Sequence, residues 1–453
     1  MTRINSLKVG VSGVRGIVGD SFTPSLVADF AAAFGEYVGK GRVIIGRDTR
    51  PTGEMIENAV VAGLLSVGCQ PVLIGIVPTP TVQIMVDEYH ANGGIAISAS
   101  HNPEEWNAMK FVGPSGVFLN YTEAAELLDI YNQPDTTFAA EQDYRNMRSI
   151  ENAFDFHKQR IWDHIDKDAI RKAGFKVAID CCNGAGAFFS RGFLEELGCE
   201  VVSIFDEKDG IFRRKPEPVP ENIHELGRCV RENACDIGFA QDPDADRIVA
   251  VDSKGQPIGE QYSIVLAAEH VLSKTPGNVV VNVQTTKALE DLARKRGCEV
   301  FYSRVGEINV TDMMAAKQAV IGGEGGSGGV IWPLVHPCRD SFTGMALILE
   351  MMALRSASIE DILNSIPRYF TSNVKVKCSA EAALDLIRTL RKEYADLRLT
   401  TVDGLRIDWE DAWILIRPSN TEPVLRISSE ALSQGKADNL TEEFAAKVKA
   451  YLA

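Results

Sequence analysis

Gly94-Ile95-Ala96-Ile97-Ser98-Ala99-Ser100-His101-Asn102-Pro103 is an apolar run that turns abruptly polar. The first four residues read as a buried strand, and Asn102-Pro103 as the turn that ends it. The same change occurs twice more. Ile237-Gly238-Phe239 leads into Asp242-Pro243-Asp244-Ala245-Asp246-Arg247, and Ala319-Val320-Ile321 into Gly322-Gly323-Glu324-Gly325-Gly326-Ser327-Gly328-Gly329. Two further apolar runs precede each of these strands. They are Val43-Ile44-Ile45 and Val72-Leu73-Ile74, then Val177-Ala178-Ile179 and Val201-Val202, then Val279-Val280-Val281 and Val300-Phe301-Tyr302. Helical patterns lie between, over 54–67 and after Thr79, and another starts at Thr23-Pro24 with Leu26, Phe30, Ala33, Phe34 and Tyr37 on one face. Continuous apolar strands separated by helices predict parallel sheets covered on both faces. Ligands bind outside the carboxyl ends of such strands, so the three polar loops stand where a site belongs.

The last part of the chain differs. Residues 373–377 read as a strand, 381–392 as a helix, 405–409 and 412–416 as a hairpin, and 438–451 as a closing helix. The expected fold class is α/β, with three similar doubly wound α/β domains and a smaller C-terminal α+β domain. The expected boundaries are 1–145, 146–253, 254–368 and 369–453, with the polar stretch 132–145 as the first linker.

A chain of 453 residues exceeds one ordinary core. No apolar run approaches the roughly 20 residues of a membrane span, and the N-terminus lacks the apolar core of a signal peptide. The nine cysteines include no C-x-x-C pair, and adjacent Cys181 and Cys182 suit neither a zinc knuckle nor an ordinary disulfide. Reduced thiols in a cytoplasmic protein with no membrane partner are the expectation. The net charge of −15 argues against nucleic acid as a partner. Any anion site must therefore be built locally.

A hydroxyl at a strand end, such as Ser100, can take or give a phosphoryl group, with His101 and Asn102 within hydrogen-bonding reach. The plain alternative is a strand-ending turn. Asp242, Asp244 and Asp246 alternate, so an extended segment points all three one way. Oxygen-only ligands suit a hard ion such as Mg²⁺. An EF-hand would need Gly at position six and Glu at twelve, where Arg247 and Ser253 stand. In the Gly-rich run Glu324 is the one charged side chain and can accept from two neighbouring sugar hydroxyls. That run also contains G-x-S-x-G around Ser327, but the nucleophile elbow requires a helix next, and Val330-Ile331-Trp332-Pro333 does not start one. Arg417-Pro418-Ser419-Asn420-Thr421-Glu422-Pro423 reads either as a phosphate cradle or as a hairpin loop.

Together the four loops resemble the α-D-phosphohexomutases, the family of phosphoglucomutase, phosphomannomutase and phosphoglucosamine mutase. The resemblance runs in order from Gly10-Val11-Ser12-Gly13-Val14-Arg15-Gly16 to the Arg417 loop. It implies four domains around a central cleft. It implies an isomerase that interconverts hexose 1- and 6-phosphates through a phosphoserine and a bisphosphate intermediate. By resemblance Ser100 is the phosphoserine, and Ser100, Asp242, Asp244 and Asp246 hold Mg²⁺. Lys110 is the general acid or base, and Arg15, His101 and Arg247 attend the reaction. Glu324 and Ser327 bind the sugar, while Arg417, Ser419, Asn420 and Thr421 bind its phosphate. A hexose 1,6-bisphosphate activator and a homodimer are further implications.

Several positions depart from the family pattern. Gly328 and Gly329 follow Ser327 where many members carry a histidine, and Ile308 replaces a common basic residue. Arg213, Arg214 and Lys215 stand where proline and histidine are frequent and could touch a phosphate. The long Gly-rich loop makes glucosamine phosphate the expected substrate, with glucose and mannose phosphates as alternatives. Outside the family, the rival readings are a non-catalytic sugar-phosphate binder and a serine hydrolase using Ser327 and His336.

Overall fold

The computed structural model describes residues 7–10, 13–133, 137–418 and 423–452. The chain forms two compact units, one of Met1–Ser263 with Ser327–Glu360, the other of Ile264–Gly326 with Asp361–Ala453.

In the first unit, Gly93–Ile97, Arg42–Arg47, Gln70–Ile76 and Arg148–Ser149 form a parallel set. The expectation of wholly parallel sheets is corrected here. Trp106–Val112 pairs antiparallel with Gly93–Ile97, Gly13–Ile17 with Trp106–Val112, and Lys8–Gly10 with Gly13–Ile17. The result is a seven-stranded mixed sheet. Polar Asn107 and Lys110 interrupt Trp106–Val112, so its sequence shows neither a continuous apolar run nor strict alternation.

The second sheet repeats the device. Lys176–Asp180, Glu200–Ile204 and Ile237–Gln241 are parallel, and Ile248–Val251 returns antiparallel with Gln241 opposite Ile248. Each polar loop thus joins a central strand to its antiparallel neighbour. This holds both loops at the strand ends.

Helices cover the sheets as the sequence predicts. Pro24–Tyr37 starts at Thr23, whose hydroxyl accepts the Leu26 N–H, and it buries Val27, Phe30, Ala31 and Phe34. Gly53–Ser66 and Thr79–Glu88 follow near their expected limits. All nine cysteines are free thiols. Among the described residues no helix is long and apolar enough to cross a membrane.

In the second unit Val279–Asn282 lies parallel to both Val300–Ser303 and Ile321–Glu324. The C-terminal sheet is wholly antiparallel, in the order Phe370–Lys377, Val424–Ala431, Ala412–Pro418, Leu405–Asp408, Arg398–Thr400. One face carries Leu405, Ile407, Ile414, Ile416, Leu425 and Ile427 against Ala380–Glu393 and Gln434–Leu452.

Candidate active site

Ser100 takes a left-handed backbone conformation, φ 48°. Such a conformation costs a non-glycine residue on the order of 1 kcal/mol and needs neighbours to hold it. Arg50 supplies the hold. It is 1% exposed, and its Nη2 donates to the carbonyls of Ser100 and Asn102, each at 2.7 Å. Its Nη1 donates to those of Pro103 and Trp106 at 2.6 and 3.0 Å. Asp48 anchors Arg50 through Nε at 3.1 Å and accepts the Ser98 hydroxyl at 2.6 Å. Ser98 Oγ in turn accepts the Ser100 N–H at 2.9 Å. His101 Nδ1 stands 3.4 Å from Ser100 Oγ, and Arg15 Nη1 reaches Asn102 Oδ1 at 3.4 Å.

The Ser100 hydroxyl donates to Asp242 Oδ2 at 2.6 Å, which brings the first two polar loops together. Asp242, Asp244 and Asp246 are fully buried, and their ligand oxygens lie within 4.8 Å of one another. Lys110 Nζ meets Asp244 Oδ2 at 2.6 Å and Asp246 Oδ2 at 3.9 Å. The Thr79 hydroxyl donates to Asp244 at 2.7 Å, and Arg339 Nη2 to Asp246 at 2.6 Å. The Arg247 N–H donates to Asp242 Oδ1 at 3.1 Å, and its Nε lies 3.8 and 3.7 Å from Asp242 and Asp246.

Three cations thus face three carboxylates, yet the site is not satisfied. Among the described residues Asp244 Oδ1 and Asp246 Oδ1 are buried without a hydrogen-bond partner. A buried, unpaired carboxylate oxygen is costly. An oxygen-only donor set of this kind fits a hard dication such as Mg²⁺.

The electrostatics agree with a crowded site. Burial and the two neighbouring aspartates push Asp242 well above the usual carboxylate range. Burial also disfavours charge on Asp244, but Lys110 and the hydrogen bonds outweigh it and hold Asp244 below that range. Burial opposes charge on Lys110 as well, and Asp244 and Asp246 outweigh it, so the ammonium is stabilised. His101 is pushed down to about 2 by Arg247, then by burial, Arg15 and Arg339. These neighbours favour the neutral imidazole.

In the second unit Glu324 ends the strand Ile321–Glu324 and is buried. Its Oε1 accepts Asn282 Nδ2 at 3.0 Å and the Gly306 N–H at 2.7 Å. Arg417, on Ala412–Pro418, donates through Nε to Asp403 Oδ1 at 2.9 Å. Ser419, Asn420 and Thr421 lie outside the described residues.

Two sequence readings change. Arg214 is taken up by Asp180 Oδ2 at 2.7 Å and the Gln241 carbonyl at 2.5 Å, because two strand ends present acceptors there. Arg213 is exposed but pairs with Asp209 at 2.8 Å, and Lys215 is exposed with no side-chain hydrogen bond or ion pair among the described residues. The hydrolase reading gains no support. Ser327 is followed by the strand Gly329–Ile331 rather than a helix, and His336 Nε2 meets the Gly116 carbonyl at 2.8 Å.

His336 has a structural consequence instead. Burial, the largest influence, helps push it down to about 4 from 6.5. Above pH 6.5 both folded and unfolded states hold it neutral, and stability is full. Between 6.5 and 4 the unfolded chain takes a proton that the folded chain refuses, so stability falls, by up to about 3 kcal/mol. His336→Gln can keep the bond to Gly116 without titrating. Chemical denaturation at pH 7 and pH 5 should show a smaller loss in that variant than in the parent.

The sequence reading missed Asp48, Arg50, Thr79, Arg339, Asn282 and Asp403. Asp48-Thr49-Arg50 follows Arg42–Arg47, so the strand-end rule that flagged Ser100 points there too. Nothing local signals Arg339, which lies 93 residues from Asp246.

Comparison with known proteins matches four family models in order. The models for phosphoglucomutase/phosphomannomutase α/β/α domains I, II and III match residues 6–138, 155–255 and 259–370, and that for the C-terminal domain matches 373–447. A probable phosphoglucosamine mutase of Methanopyrus kandleri is 37% identical over 441 residues, 96% of each chain. A phosphoglucomutase/phosphomannomutase of Thermococcus kodakarensis is 35% identical over 442 residues, again 96% of each. Among solved structures, a phosphoglucomutase/phosphomannomutase family protein from Burkholderia thailandensis superposes with a TM-score of 0.85 at 26% identity, covering 100% of this chain and 98% of that one.

Proposed function

The chain belongs to the phosphoglucomutase/phosphomannomutase family and is a phosphosugar mutase, and on that premise we propose that Ser100 carries the transferred phosphoryl group and that the preferred substrate is glucosamine phosphate. The hydrogen bond from Ser100 Oγ to Asp242, inside a buried aspartate trio, is the observation that carries this reading. Asp242, Asp244 and Asp246, with the phosphate on Ser100, would hold Mg²⁺. When bound, the ion neutralises charge on the transferring phosphoryl group.

The chain's own residues do the remaining work. Arg50 and Asp48 fix the Ser100 loop so that Oγ keeps one direction. Lys110, held charged by Asp244, supplies a fixed positive charge, gives its proton to the leaving oxygen, and takes up the attacking sugar hydroxyl's proton only late in the transfer, which restores the ammonium. A loose phosphoryl-transfer transition state asks little proton abstraction from the attacking sugar hydroxyl. Neutral His101 contributes a hydrogen bond, while Arg15 and Arg247 contribute charge. Glu324 and Ser327 would bind sugar hydroxyls, and Arg417 with Ser419, Asn420 and Thr421 the phosphate that is not reacting. The bisphosphate then turns end over end and returns its other phosphate to Ser100, so a hexose 1,6-bisphosphate should prime the dephosphorylated protein. The support for glucosamine is the Gly-rich loop together with the name of the Methanopyrus relative.

The Arg50 hold makes a prediction. Arg50→Lys keeps the charge but loses the planar fork that reaches four carbonyls. Turnover should fall by about a hundredfold with little change in circular dichroism, and steady-state kinetics would check it.

The function itself is tested by ³¹P NMR with Mg²⁺, a trace of hexose 1,6-bisphosphate and each of glucosamine-, glucose- and mannose-1-phosphate. Conversion to the 6-phosphate, fastest for glucosamine, is expected. No conversion of any of the three would overturn the reading.

A further inference from the structure

In the second unit the strand Val300–Ser303 runs through Arg304-Val305-Gly306 into the helix Glu307–Lys317. Two successive peptide N–H groups of that turn donate to two different carboxylates. Val305 N–H reaches Asp403 Oδ2 at 3.1 Å, and Gly306 N–H reaches Glu324 Oε1 at 2.7 Å. The other oxygen of Asp403, Oδ1, accepts Arg417 Nε at 2.9 Å. A third tie joins the same segments, from Arg304 Nε to the Val402 carbonyl at 2.9 Å. Gly404 permits the close approach. Its φ is 84°, and a Cβ there would stand 2.3 Å from the Ile416 carbonyl oxygen and 3.0 Å from the Arg417 Cα.

An arginine that binds an anion gains no attraction from an acidic neighbour, because the carboxylate repels the same anion. The gain is in direction. A guanidinium presents its donors in one rigid plane, and a fixed partner on Nε fixes that plane. Asp403 and Arg417 are 19% and 17% exposed, so the pair is partly desolvated and its geometry is better held than a surface pair.

We propose that Asp403 is a positioning residue that locks the Arg417 guanidinium to the Val305–Gly306 turn and so sets the span between the phosphate-binding arm and Glu324. The proposal rests on Arg417 and Glu324 binding the phosphosugar. In a mutase that accepts its intermediate in two orientations, both poses must bridge the same span from bound phosphate to bound hydroxyls. A turn that holds both groups on adjacent peptides keeps it constant.

The test uses the full chain in the Ser100→Ala background, with the 6-phosphate of whichever of the three sugars turns over. Calorimetry gives Kd for that parent, for added Asp403→Asn, for added Glu324→Gln and for both. The asparagine amide directs an N–H toward either Arg417 Nε or the Val305 N–H. Asp403→Asn should weaken binding about tenfold while the melting temperature stays within a few degrees of the parent. The double change should weaken binding at least about threefold less than the product of the single effects, since the groups share one turn. An unchanged Kd in Asp403→Asn, or effects that multiply within about twofold, would overturn the proposal. If Asp403→Asn does not fold, Asp403→Glu carries the same cycle, because it keeps both acceptors on a longer arm. A parent that binds none of the three phosphosugars overturns the functional reading first, and the proposal with it.

Discussion

Ser100→Ala should show no measurable interconversion of hexose 1- and 6-phosphates, a loss of at least about ten-thousandfold in turnover. The Ser100 hydroxyl donates to Asp242, sits in a loop pinned by Arg50, and would be the atom that breaks and remakes the phosphoryl bond in every cycle. Alanine leaves the Arg50 contacts, which go to main-chain carbonyls, so the fold and phosphosugar binding should persist. Intact-mass analysis after incubation with hexose 1,6-bisphosphate supplies a second readout. The wild type should gain one phosphate and the variant none. A variant that still gains phosphate would move the acceptor elsewhere, and Thr79, whose hydroxyl also touches the aspartate trio, would be the first place to look. Wild-type turnover in Ser100→Ala would sink the mechanism.

Asp244→Asn should have the next largest effect. Asp244 pairs with Lys110 at 2.6 Å and accepts the Thr79 hydroxyl at 2.7 Å, while its Oδ1, buried without a hydrogen-bond partner among the described residues, is where it would meet the cation. Asparagine keeps the shape and the Thr79 bond. It removes the charge that stabilises the Lys110 ammonium and weakens the oxygen donor. Mg²⁺ affinity by calorimetry should fall by more than about a hundredfold, given that even supporting residues around a metal can cost up to that much. Stripping one partner from a buried ion pair costs about 3–5 kcal/mol, so the melting temperature should also drop. Unchanged Mg²⁺ affinity would remove Asp244 from the ligand set. Chelation should abolish turnover of the wild type, and added Mg²⁺ should restore it.

Much of this could be read from local sequence. Parallel strands covered by helices must be apolar along their length, so Val43-Ile44-Ile45, Val177-Ala178-Ile179 and Val279-Val280-Val281 announce themselves. The polar residues just beyond strand ends have no core to enter, which is why Ser100, Asp242 and Glu324 stood out. The alternating aspartates suggest convergence along an extended segment, but residues 243–245 turn instead: the Ala245 N–H bonds the Asp242 carbonyl at 3.0 Å and Ala245 takes a left-handed φ of 52°, and this turn brings the three carboxylates together. The antiparallel strands were harder. Trp106–Val112 and Ile248–Val251 are short, one is broken by Asn107 and Lys110, and their place in the sheet depends on strands elsewhere in the chain.

The sequence by itself thus determined the α/β units, the C-terminal α+β domain and the polar loops at the strand ends where a site is proposed, because these follow from the periodicity of burial along one segment. Only the tertiary structure decided which distant groups meet. Arg50 under the Ser100 loop, Lys110 on Asp244, Arg339 on Asp246 and Asp403 between Arg417 and Val305 are contacts between separate segments. A charged side chain looks alike in any exposed loop until folding strips its water, and then its energy depends on the partner that replaces that water.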